Sequence, residues 1–413
     1  MLERSKCMNV PEIRFKEFCD YYSDVLLEKC LSVSNKKNNK LEYKKEDALS
    51  VSDEFGVVNQ IEHLGRSYTG NNISTYKILN KGQIVYTKSP LKLKPFGIIK
   101  VNNNKPGIVS VLYAIYDVKE GFDPNYISVY LEPNFRLNKY LLPLINKGAK
   151  NTINISDETA LSGEVHIPLS YTEQQKIAFY FQSLDSLIQT TSKELASLKQ
   201  IKAASLQSMF PQEGETVPKV RFKGFEGEWN LKYVFELLCE RNELSPQSSE
   251  FPLMAFIANN GIAEKGERYD RSALVNDVIN KQYKRTYYGD FIYSSNNLGT
   301  GSIGLNTYGK ATISPVYSIF YCTLNSDSNF VGYCMTRKSF IKEMIKWRQG
   351  VMYGQWRIHE NDFLRIKVLV PSLPEQQQIG TYFRNLDQQI SLQTQRLEKL
   401  KQIKSACLDK MFV

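Results

Sequence analysis

The sequence predicts an α+β protein: two globular domains of mixed α/β structure, related by a pseudo-two-fold axis, joined by two long helices that form an antiparallel coiled coil. Three observations lead to this prediction. A set of short motifs occurs twice, the segments that close each copy carry the apolar spacing of a coiled coil, and short strand-like runs lie between the motifs. With 413 residues, the chain also exceeds the length that one hydrophobic core usually serves.

The repeated motifs lie at a nearly constant distance along the chain. Those of the long segments recur 202 positions later, at 173 to 375 and at 210 to 412, and those that open each copy recur 207 positions later, at 11 to 218. The first copy contains Pro11, Arg14-Phe15-Lys16, Glu173-Gln174-Gln175 and Met209-Phe210, and the second contains Pro218, Arg221-Phe222-Lys223, Glu375-Gln376-Gln377 and Met411-Phe412. Two copies of one plan in a single polypeptide amount to a covalent pseudo-dimer.

Each long segment carries apolar residues at alternating spacings of four and three, which is the seam of a coiled coil. The predicted helix–helix seam consists of Ile177, Phe181, Leu184, Ile188, Leu195 and Leu198 in the first segment, and of Ile379, Phe383, Leu386, Ile390, Leu397 and Leu400 in the second. Thr191 and Gln393 interrupt the seam at matching positions, where polar residues help to define register. Antiparallel pairing is favoured because a whole domain lies between the two segments.

Both long segments begin with a signal for a helix start. Ser170 and Ser372 each stand three residues before a glutamate, Glu173 and Glu375, which is the capping-box pattern. We therefore expect each serine side chain to accept a hydrogen bond from the glutamate N–H. Each glutamate side chain should in turn accept one from the N–H of its serine.

The residues between the repeated motifs read as short strands and loops. The predicted strands include 83–86, 108–111 and 114–116 in the first copy, and 291–293, 312–314 and 318–321 in the second. The predicted boundaries are 1–168 for the first domain, 169–210 for the first long helix, 211–370 for the second domain with a linker at 211–218, and 371–413 for the second long helix.

The charge of the chain favours a polyanionic partner. A formal net charge of +10 and a pI near 9.0 suit a nucleic acid, because Lys and Arg side chains release counterions when they neutralise phosphates. Seven cysteines at scattered spacings favour free thiols in a reducing compartment. With no long apolar run and no signal-peptide pattern, we expect a cytoplasmic protein without a membrane partner.

A search for catalytic motifs yields only weak matches. Gly299-x-Gly301-x-x-Gly304 matches the dinucleotide fingerprint, but a strand, rather than the required helix, is predicted after it. Asp123-Pro124-Asn125-Tyr126 is a faint match to the Asp-Pro-Pro-Tyr box of adenine methyltransferases, and we interpret it as a turn. The sequence therefore predicts a chain without a catalytic site, a bound cofactor or a metal.

The doubled motifs resemble the specificity subunit of type I restriction-modification systems over nearly the whole chain. In each copy a proline, Pro168 or Pro371, precedes Glu-Gln-x-x-Ile, a long helix and a Met-Phe ending. The Pro-x-x-Arg-Phe motifs fit as well, and Trp229 follows the second of them. Tyr22 stands where that tryptophan would fall in the first copy, which is a mild departure from the pattern.

This resemblance implies a non-catalytic subunit with two target-recognition domains, each reading half of a split sequence in double-stranded DNA. The paired helices would set the gap and dock two methyltransferase subunits, which bind S-adenosylmethionine and methylate adenine at N6. Motor-nuclease subunits that use ATP and magnesium would complete the restriction complex. On this interpretation, this chain itself holds none of these cofactors.

Polar and basic loop residues near the matched strands are the candidates for DNA contact, because Arg and Lys can read guanine edges and Asn and Gln can read adenine. They are Arg66, Tyr68, Lys88, Lys92 and Lys94 in the first domain, and Lys284, Arg285, Asn296, Asn297, Arg348, Tyr353, Gln355 and Arg357 in the second.

Two other hypotheses remain open from the sequence. The chain could be a fragment or relative of a single-chain restriction-modification enzyme, which would require methylation by the purified protein alone. It could instead be a structural coiled-coil protein that binds DNA without sequence preference, which salt-sensitive but unselective binding would support.

Overall fold

The computed structural model describes residues 10–91, 93–147, 153–258, 261–264, 281–351 and 355–413. The chain divides into two compact units. Unit 1 consists of Met1–Thr191 with Arg396–Val413, and unit 2 consists of Ser192–Gln395. The domain boundaries predicted above follow the secondary-structure elements instead of these units, and they stay a prediction.

Unit 1 is built on a four-stranded antiparallel sheet. The strands are β1 (Ser23–Leu26), β2 (Leu31–Val33), β3 (Leu49–Ser52), β4 (Gly56–Asn59), β5 (Lys77–Leu79), β6 (Ile84–Tyr86), β7 (Ile99–Val101), β8 (Gly107–Val109), β9 (Ala114–Val118), β10 (Asn146–Lys147), β11 (Ile153–Asn154) and β12 (Glu164–Ile167). The helices are α1 (Leu27–Cys30), α2 (Gln60–Leu64), α3 (Pro124–Tyr130), α4 (Asn134–Leu141) and the first part of α5 (Tyr171–Ser208). The sheet has the order β2-β9-β6-β7, and β1 pairs with β12, β3 with β4, β5 with β8 and β10 with β11.

Unit 2 repeats this plan. Its strands are β13 (Asn230–Tyr233), β14 (Leu238–Glu240), β15 (Leu244–Ser245), β16 (Ala255–Ile257), β17 (Gly261–Ala263), β18 (Tyr283–Thr286), β19 (Phe291–Tyr293), β20 (Ile303–Leu305), β21 (Ala311–Ile313), β22 (Ser318–Cys322), β23 (Gln349–Val351), β24 (Gln355–Arg357) and β25 (Lys367–Val370). The helices are α6 (Ser328–Met335), α7 (Lys338–Lys346), α8 (Glu360–Leu364) and the first part of α9 (Leu373–Lys410). The sheets have the orders β14-β22-β19-β20 and β15-β18-β21, and β13 pairs with β25, β16 with β17 and β23 with β24.

The predicted strands are confirmed to within two residues at their ends. One of the two inner strands of each four-stranded sheet, β6 or β19, is buried on both faces, which explains why it reads as a continuous apolar run instead of an alternating one. The prediction of a strand after the glycine-rich segment 299–304 is also confirmed, because β21 follows it and a helix does not.

The prediction of two long helices packed together is confirmed: α5 and α9 have 38 residues each. In unit 1 the first part of α5 packs on the last part of α9, where Lys404 Nζ lies 2.7 Å from Asp185 Oδ1. In unit 2 the last part of α5 packs on the first part of α9, where Lys202 Nζ lies 2.5 Å from Asp387 Oδ1. These two ion pairs join equivalent residues of the repeat, and they show that the helices run antiparallel.

The side chains of the predicted seam all lie in buried or half-buried positions. Phe181 and Phe383 are fully buried in their respective units. Of the two polar interruptions, Thr191 is buried, whereas Gln393 is half-buried and donates from Nε2 to Glu194 Oε2 at 3.2 Å.

A buried arginine–glutamate pair marks the start of each long helix. Arg14 donates from Nε and Nη2 to the two oxygens of Glu173 at 2.7 and 2.8 Å, and Arg221 binds Glu375 in the same way at 2.6 and 2.7 Å. Such two-pronged pairing matches the planar guanidinium to the planar carboxylate. The predicted capping boxes are therefore wrong in one respect. Ser170 Oγ does accept from the N–H of Glu173, but the glutamate carboxylates bind arginines instead of the serine N–H groups.

The glutamine that follows each of these glutamates ties the helix start to a second helix. Gln174 accepts from the N–H of Asp123 at 2.9 Å and donates to the carbonyl of Pro168 at 2.9 Å. Gln376 accepts from the N–H of Asp327 at 3.1 Å and donates to the carbonyl of Pro371 at 3.1 Å. Asp123 and Asp327 are themselves the N-caps of α3 and α6. The prediction of a simple turn at 123–126 is wrong, because Asp123 opens a helix there.

The Met-Phe ending of each long helix is buried among aromatic side chains. In unit 1 the Phe412 ring lies 5.8 Å from the Phe181 ring, and the Arg136 guanidinium lies 4.8 Å from the Phe412 centroid. In unit 2 the Phe210 ring lies 6.0 Å from the Phe383 ring, and Arg337 covers it at the same 4.8 Å. Each unit is thus completed by the beginning of one long helix and the end of the other.

We predict that Glu173→Gln lowers the free energy of unfolding by about 3–5 kcal/mol, because it leaves the buried guanidinium of Arg14 without a counter-charge. Chemical denaturation of the full chain measures the effect. Glu398→Gln, at an exposed position of α9 in the same unit, is the matched control and should change stability by less than about 0.5 kcal/mol. Equal losses from both variants would contradict the role given to the buried pair.

Candidate nucleic-acid interface

In unit 2, the hairpin β23–β24 and the loop 294–302 lie together and carry five of the candidate residues. Asn296 Oδ1 accepts from the N–H of Trp356 at 2.6 Å, and Ser295 Oγ accepts from the N–H of Ile358 at 3.0 Å. These bonds fasten the loop to the second strand of the hairpin. The candidates on these two segments are Asn296, Asn297, Arg348, Gln355 and Arg357.

The outer part of this surface mixes amide, cationic and aromatic groups. Gln355 and Arg357 are exposed on either side of Trp356, which is itself 48% exposed. Sequence reasoning missed Trp356, although its position between two candidates in a short strand was a usable signal. Exposed aromatic and amide groups beside cations can contact both the bases and the phosphates of a nucleic acid.

Arg348 lies directly before β23, and no acidic side chain among the described residues forms an ion pair with it. Its Nε atom is buried and has no hydrogen-bond partner among the described residues. Burial lowers the pKa of Arg348, which reflects the cost of removing its charge from water. An arginine in this state gains most from an anion supplied by a ligand.

Lys284 and Arg285 are neighbours on β18, and they differ in how deeply they are buried. Lys284 is buried and donates from Nζ to the carbonyl of Tyr317 at 3.0 Å. Arg285 is half-buried, donates from Nε to Ser245 Oγ at 2.9 Å and stacks on the Phe251 ring at 4.6 Å. Lys284 is therefore committed to a contact inside the fold, whereas Arg285 remains partly accessible.

In unit 1, Arg66 and Tyr68 lie on the loop that follows α2, and both are exposed. The Arg66 guanidinium lies 4.7 Å from the centroid of the Tyr68 ring. The N–H of Tyr68 donates to Gln60 Oε1 at 2.8 Å, which holds the loop against α2. This cation–aromatic pair offers a charge and a flat ring on one surface.

Lys88 and Lys94, which lie in the loop 87–98 of unit 1, are paired with acceptors. Lys88 Nζ lies 2.5 Å from Asp157 Oδ1, and Lys77 Nζ lies 2.8 Å from the other oxygen of the same carboxylate. Lys94 donates to the carbonyl of Glu132 at 3.0 Å and lies 3.3 Å from Asp53. Burial alone would raise the pKa of Asp157, but its hydrogen bonds with Lys77 and Lys88 bring that pKa below its usual value.

Glu360, the first residue of α8, occupies the corresponding place in unit 2. It accepts from Ser318 Oγ at 2.8 Å and lies 3.7 Å from Arg357 Nη2. Burial alone would raise the pKa of Glu360, but its own backbone amide, Ser318 and the charges of Lys284 and Arg357 bring it below its usual value. Sequence reasoning missed both acids.

Two candidates, Lys92 and Tyr353, lie outside the described residues. Within the described ranges, no group of three or more His, Cys, Asp or Glu side chains is arranged to hold a metal ion. In the same part of the chain, no helix combines the length and the apolar character needed to cross a bilayer.

Comparison with known proteins relates this fold to one family. Residues 231–402 match the type I restriction modification DNA specificity domain. The S subunit of a type I restriction-modification system from M. genitalium superposes with a TM-score of 0.60 at 12% identity, over 98% of this chain and 99% of that chain. The HsdS subunit from Thermoanaerobacter tengcongensis gives a TM-score of 0.41 at 14% identity, over 95% of this chain and 96% of that one. No curated protein sequence matches the chain.

The family match covers most of unit 2, and unit 1 repeats the same order of strands, capped helices and buried Arg–Glu pair. The whole chain also has the fold of the M. genitalium S subunit. Residues 231–402 therefore carry a DNA specificity domain of the type I restriction modification family, as the sequence resemblance predicted.

We predict that Arg348→Gln weakens binding to duplex DNA and reduces the slope of log affinity against log salt by about 0.9, the value for one lost phosphate contact. Titrations of the full chain at several salt concentrations measure this slope. Lys346→Gln is the matched control, because Lys346 is exposed on α7 and already paired with Glu343 at 2.6 Å. A slope that falls equally in both variants, or in neither, would count against a phosphate at Arg348.

Proposed function

We propose that this chain is the specificity subunit of a type I restriction-modification system and that it recognises a split DNA sequence, with unit 1 reading one half-site and unit 2 the other. The proposal rests on the observation that the two units share the same buried framework but carry different loops on their surfaces. The buried strands β6 and β19 and the helix-start pairs are equivalent. The candidates come from different segments: exposed ones from the loop around 66–68 and half-buried lysines from the loop 87–98 in unit 1, and mostly exposed ones from the hairpin β23–β24 and the loop 294–302 in unit 2.

The two long helices are proposed to set the gap between the half-sites. A helix of 38 residues is about 57 Å long at 1.5 Å per residue. One turn of B-DNA rises about 34 Å. Each helix is therefore somewhat longer than one turn of DNA.

The outward faces of the same helices are proposed to dock two methyltransferase subunits. Phe179 and Leu187 on α5 and Leu392 on α9 are exposed apolar residues of the kind that a protein partner covers. The methyltransferases would bind S-adenosylmethionine and methylate adenine at N6 after flipping the base out of the duplex. In this scheme the specificity subunit recognises the DNA sequence and the partner subunits catalyse the methylation.

The remaining partners follow from the same proposal. Motor-nuclease subunits, which would hold ATP and magnesium, would join the methyltransferases to form the restriction complex. Assembly with these partners on chromosomal DNA would take place in the cytoplasm.

The proposal predicts a split methylation motif with a fixed gap. N6-methyladenine mapping in DNA from cells that express this chain with its methyltransferase partner measures it. Replacement of residues 23–168 by the corresponding domain of another specificity subunit should change one half of the motif and leave the other intact. A continuous motif, or alteration of both halves by the replacement, would contradict independent reading by the two units.

An insertion of four residues, about one helical turn, into one long helix should lengthen the gap while both half-sites stay the same. The same methylation mapping reads the result. As a control, four residues inserted into the linker 211–218 add chain length outside the helices and should leave the gap unchanged. If the helix insertion leaves the length of the gap unchanged, the helices do not act as the spacer.

A further inference from the structure

In each unit one carboxylate lies beside an outer cation, and a buried inner lysine also acts on it. In unit 1, Asp157 lies between Lys77 and Lys88 and forms an ion pair with each. In unit 2, Glu360 lies 3.7 Å from Arg357 Nη2, and the inner Lys284 donates to the carbonyl of Tyr317 while its charge helps to lower the pKa of Glu360. Each arrangement combines two positive charges with one negative charge, so each keeps a net charge of +1 at neutral pH.

The inner parts of the two arrangements are equivalent in the fold. Lys77 and Lys284 both lie on the strand that pairs with β8 or β21, and both are only 8% exposed. Asp157 and Glu360 both lie in the segment before the last strand of their unit, β12 or β25. The inner lysine and the carboxylate, which we call the base of each arrangement, therefore hold equivalent places in the repeated framework, although among the described residues an ion pair joins them only in unit 1.

The outer cations come from unrelated elements. Lys88 follows β6, whereas Arg357 ends β24, a hairpin strand that lies much later in the order of its unit. A constant base thus carries a different cation on each reading surface. This is the pattern expected where the base positions a group and the group itself distinguishes one DNA sequence from another.

The Lys88 backbone is held in an unusual conformation. Lys88 has a φ of 50°, and the only other non-glycine residue with positive φ among the described residues is Leu41. A Cβ at Gly97 would come within 3.0 Å of Thr87 Oγ1 and 3.1 Å of the Tyr86 ring, so the loop closes tightly beneath Lys88. Left-handed lysine is costly, and such strain concentrates at functional positions.

The carboxylate of Asp157 is itself unsuited to reading bases. Both of its oxygens already accept from lysine Nζ atoms, at 2.5 and 2.8 Å, and its side chain is 14% exposed. An ammonium group has three N–H donors, so Lys88 keeps donors for a ligand after its bond to Asp157. The exposed end of the arrangement is therefore the cation and not the acid.

We infer that Asp157 and Glu360 are positioning residues, each of which holds the outer cation of its unit, Lys88 or Arg357, at a fixed place on the DNA-reading surface. This inference rests on the proposed division of the target between the two units. The inference predicts that loss of the carboxylate changes overall affinity for DNA and discrimination between DNA sequences in opposite directions. Removing the carboxylate adds net positive charge, which strengthens binding to DNA of any sequence. It also releases the outer cation from its fixed place, so that contact with one particular position of the DNA is lost.

The test compares Asp157→Asn with the unaltered chain, each in complex with its methyltransferase partner. We expect methylation mapping to show roughly tenfold weaker discrimination at one position of the first half-site, in the range that one direct base contact supplies. The second half-site should be unchanged. Binding of the full chain to duplex DNA of unrelated sequence should become tighter and more dependent on salt.

Two further variants complete the comparison. Glu360→Gln should relax the second half-site and spare the first. Asp24→Asn removes the same charge from unit 1 at a side chain that is 69% exposed, and it should leave both halves of the motif intact.

If Asp157→Asn does not fold, Lys88→Met tests the same inference, because it removes the outer cation and leaves the pair of Lys77 and Asp157. It must relax the first half-site in the same way. The inference is overturned if the unaltered chain reads a split motif while Lys88→Met, or a folded Asp157→Asn, leaves that motif unchanged. It is also overturned if Asp157→Asn weakens binding to all DNA alike. Absence of a split motif with the unaltered chain would instead refute the proposed function, and the inference with it.

Discussion

Each long helix begins at a buried carboxylate, and the rest of each unit is organised around that charge. A glutamate at this depth is stable only with a counter-charge, which Arg14 or Arg221 brings from the far end of its copy of the repeat. The neighbouring glutamine then binds the cap of α3 or α6. One helix turn thereby joins the opening motif, the end of the last strand and the helix that covers the sheet.

This constraint explains why the repeated motifs are so short and so far apart. The Arg-Phe and Glu-Gln motifs are two halves of one ion pair, separated by 159 positions in unit 1 and 154 in unit 2. The loops between them do not take part in that pair, and they are free to differ. The framework is therefore specified by a few buried polar contacts, and the surfaces built on it can diverge without loss of the fold.

Local periodicity was sufficient to predict the seam and the buried strands, because both depend on neighbours a few residues apart. It failed where a residue has two possible partners. Glu173 has the spacing of a capping box, but a distant guanidinium offers it a charge and the serine N–H does not. The burial of Lys284 and the acids at Asp157 and Glu360 depend on contacts between distant strands and loops, for which the sequence has no short-range signal. The candidate surface was thus predicted in outline, and its supporting charges were not.

The burial of Phe412 in unit 1 also bears on how the protein is made. A ribosome releases Met1–Thr191 first, but Arg396–Val413, which completes that unit, emerges only after all of unit 2. Until then Phe181 and its aromatic neighbours lack the ring that covers them. Unit 2 has its full set of residues earlier, so the half that is synthesised first is the half that can finish folding last. For much of translation, the nascent chain therefore carries an apolar surface that chaperones can bind.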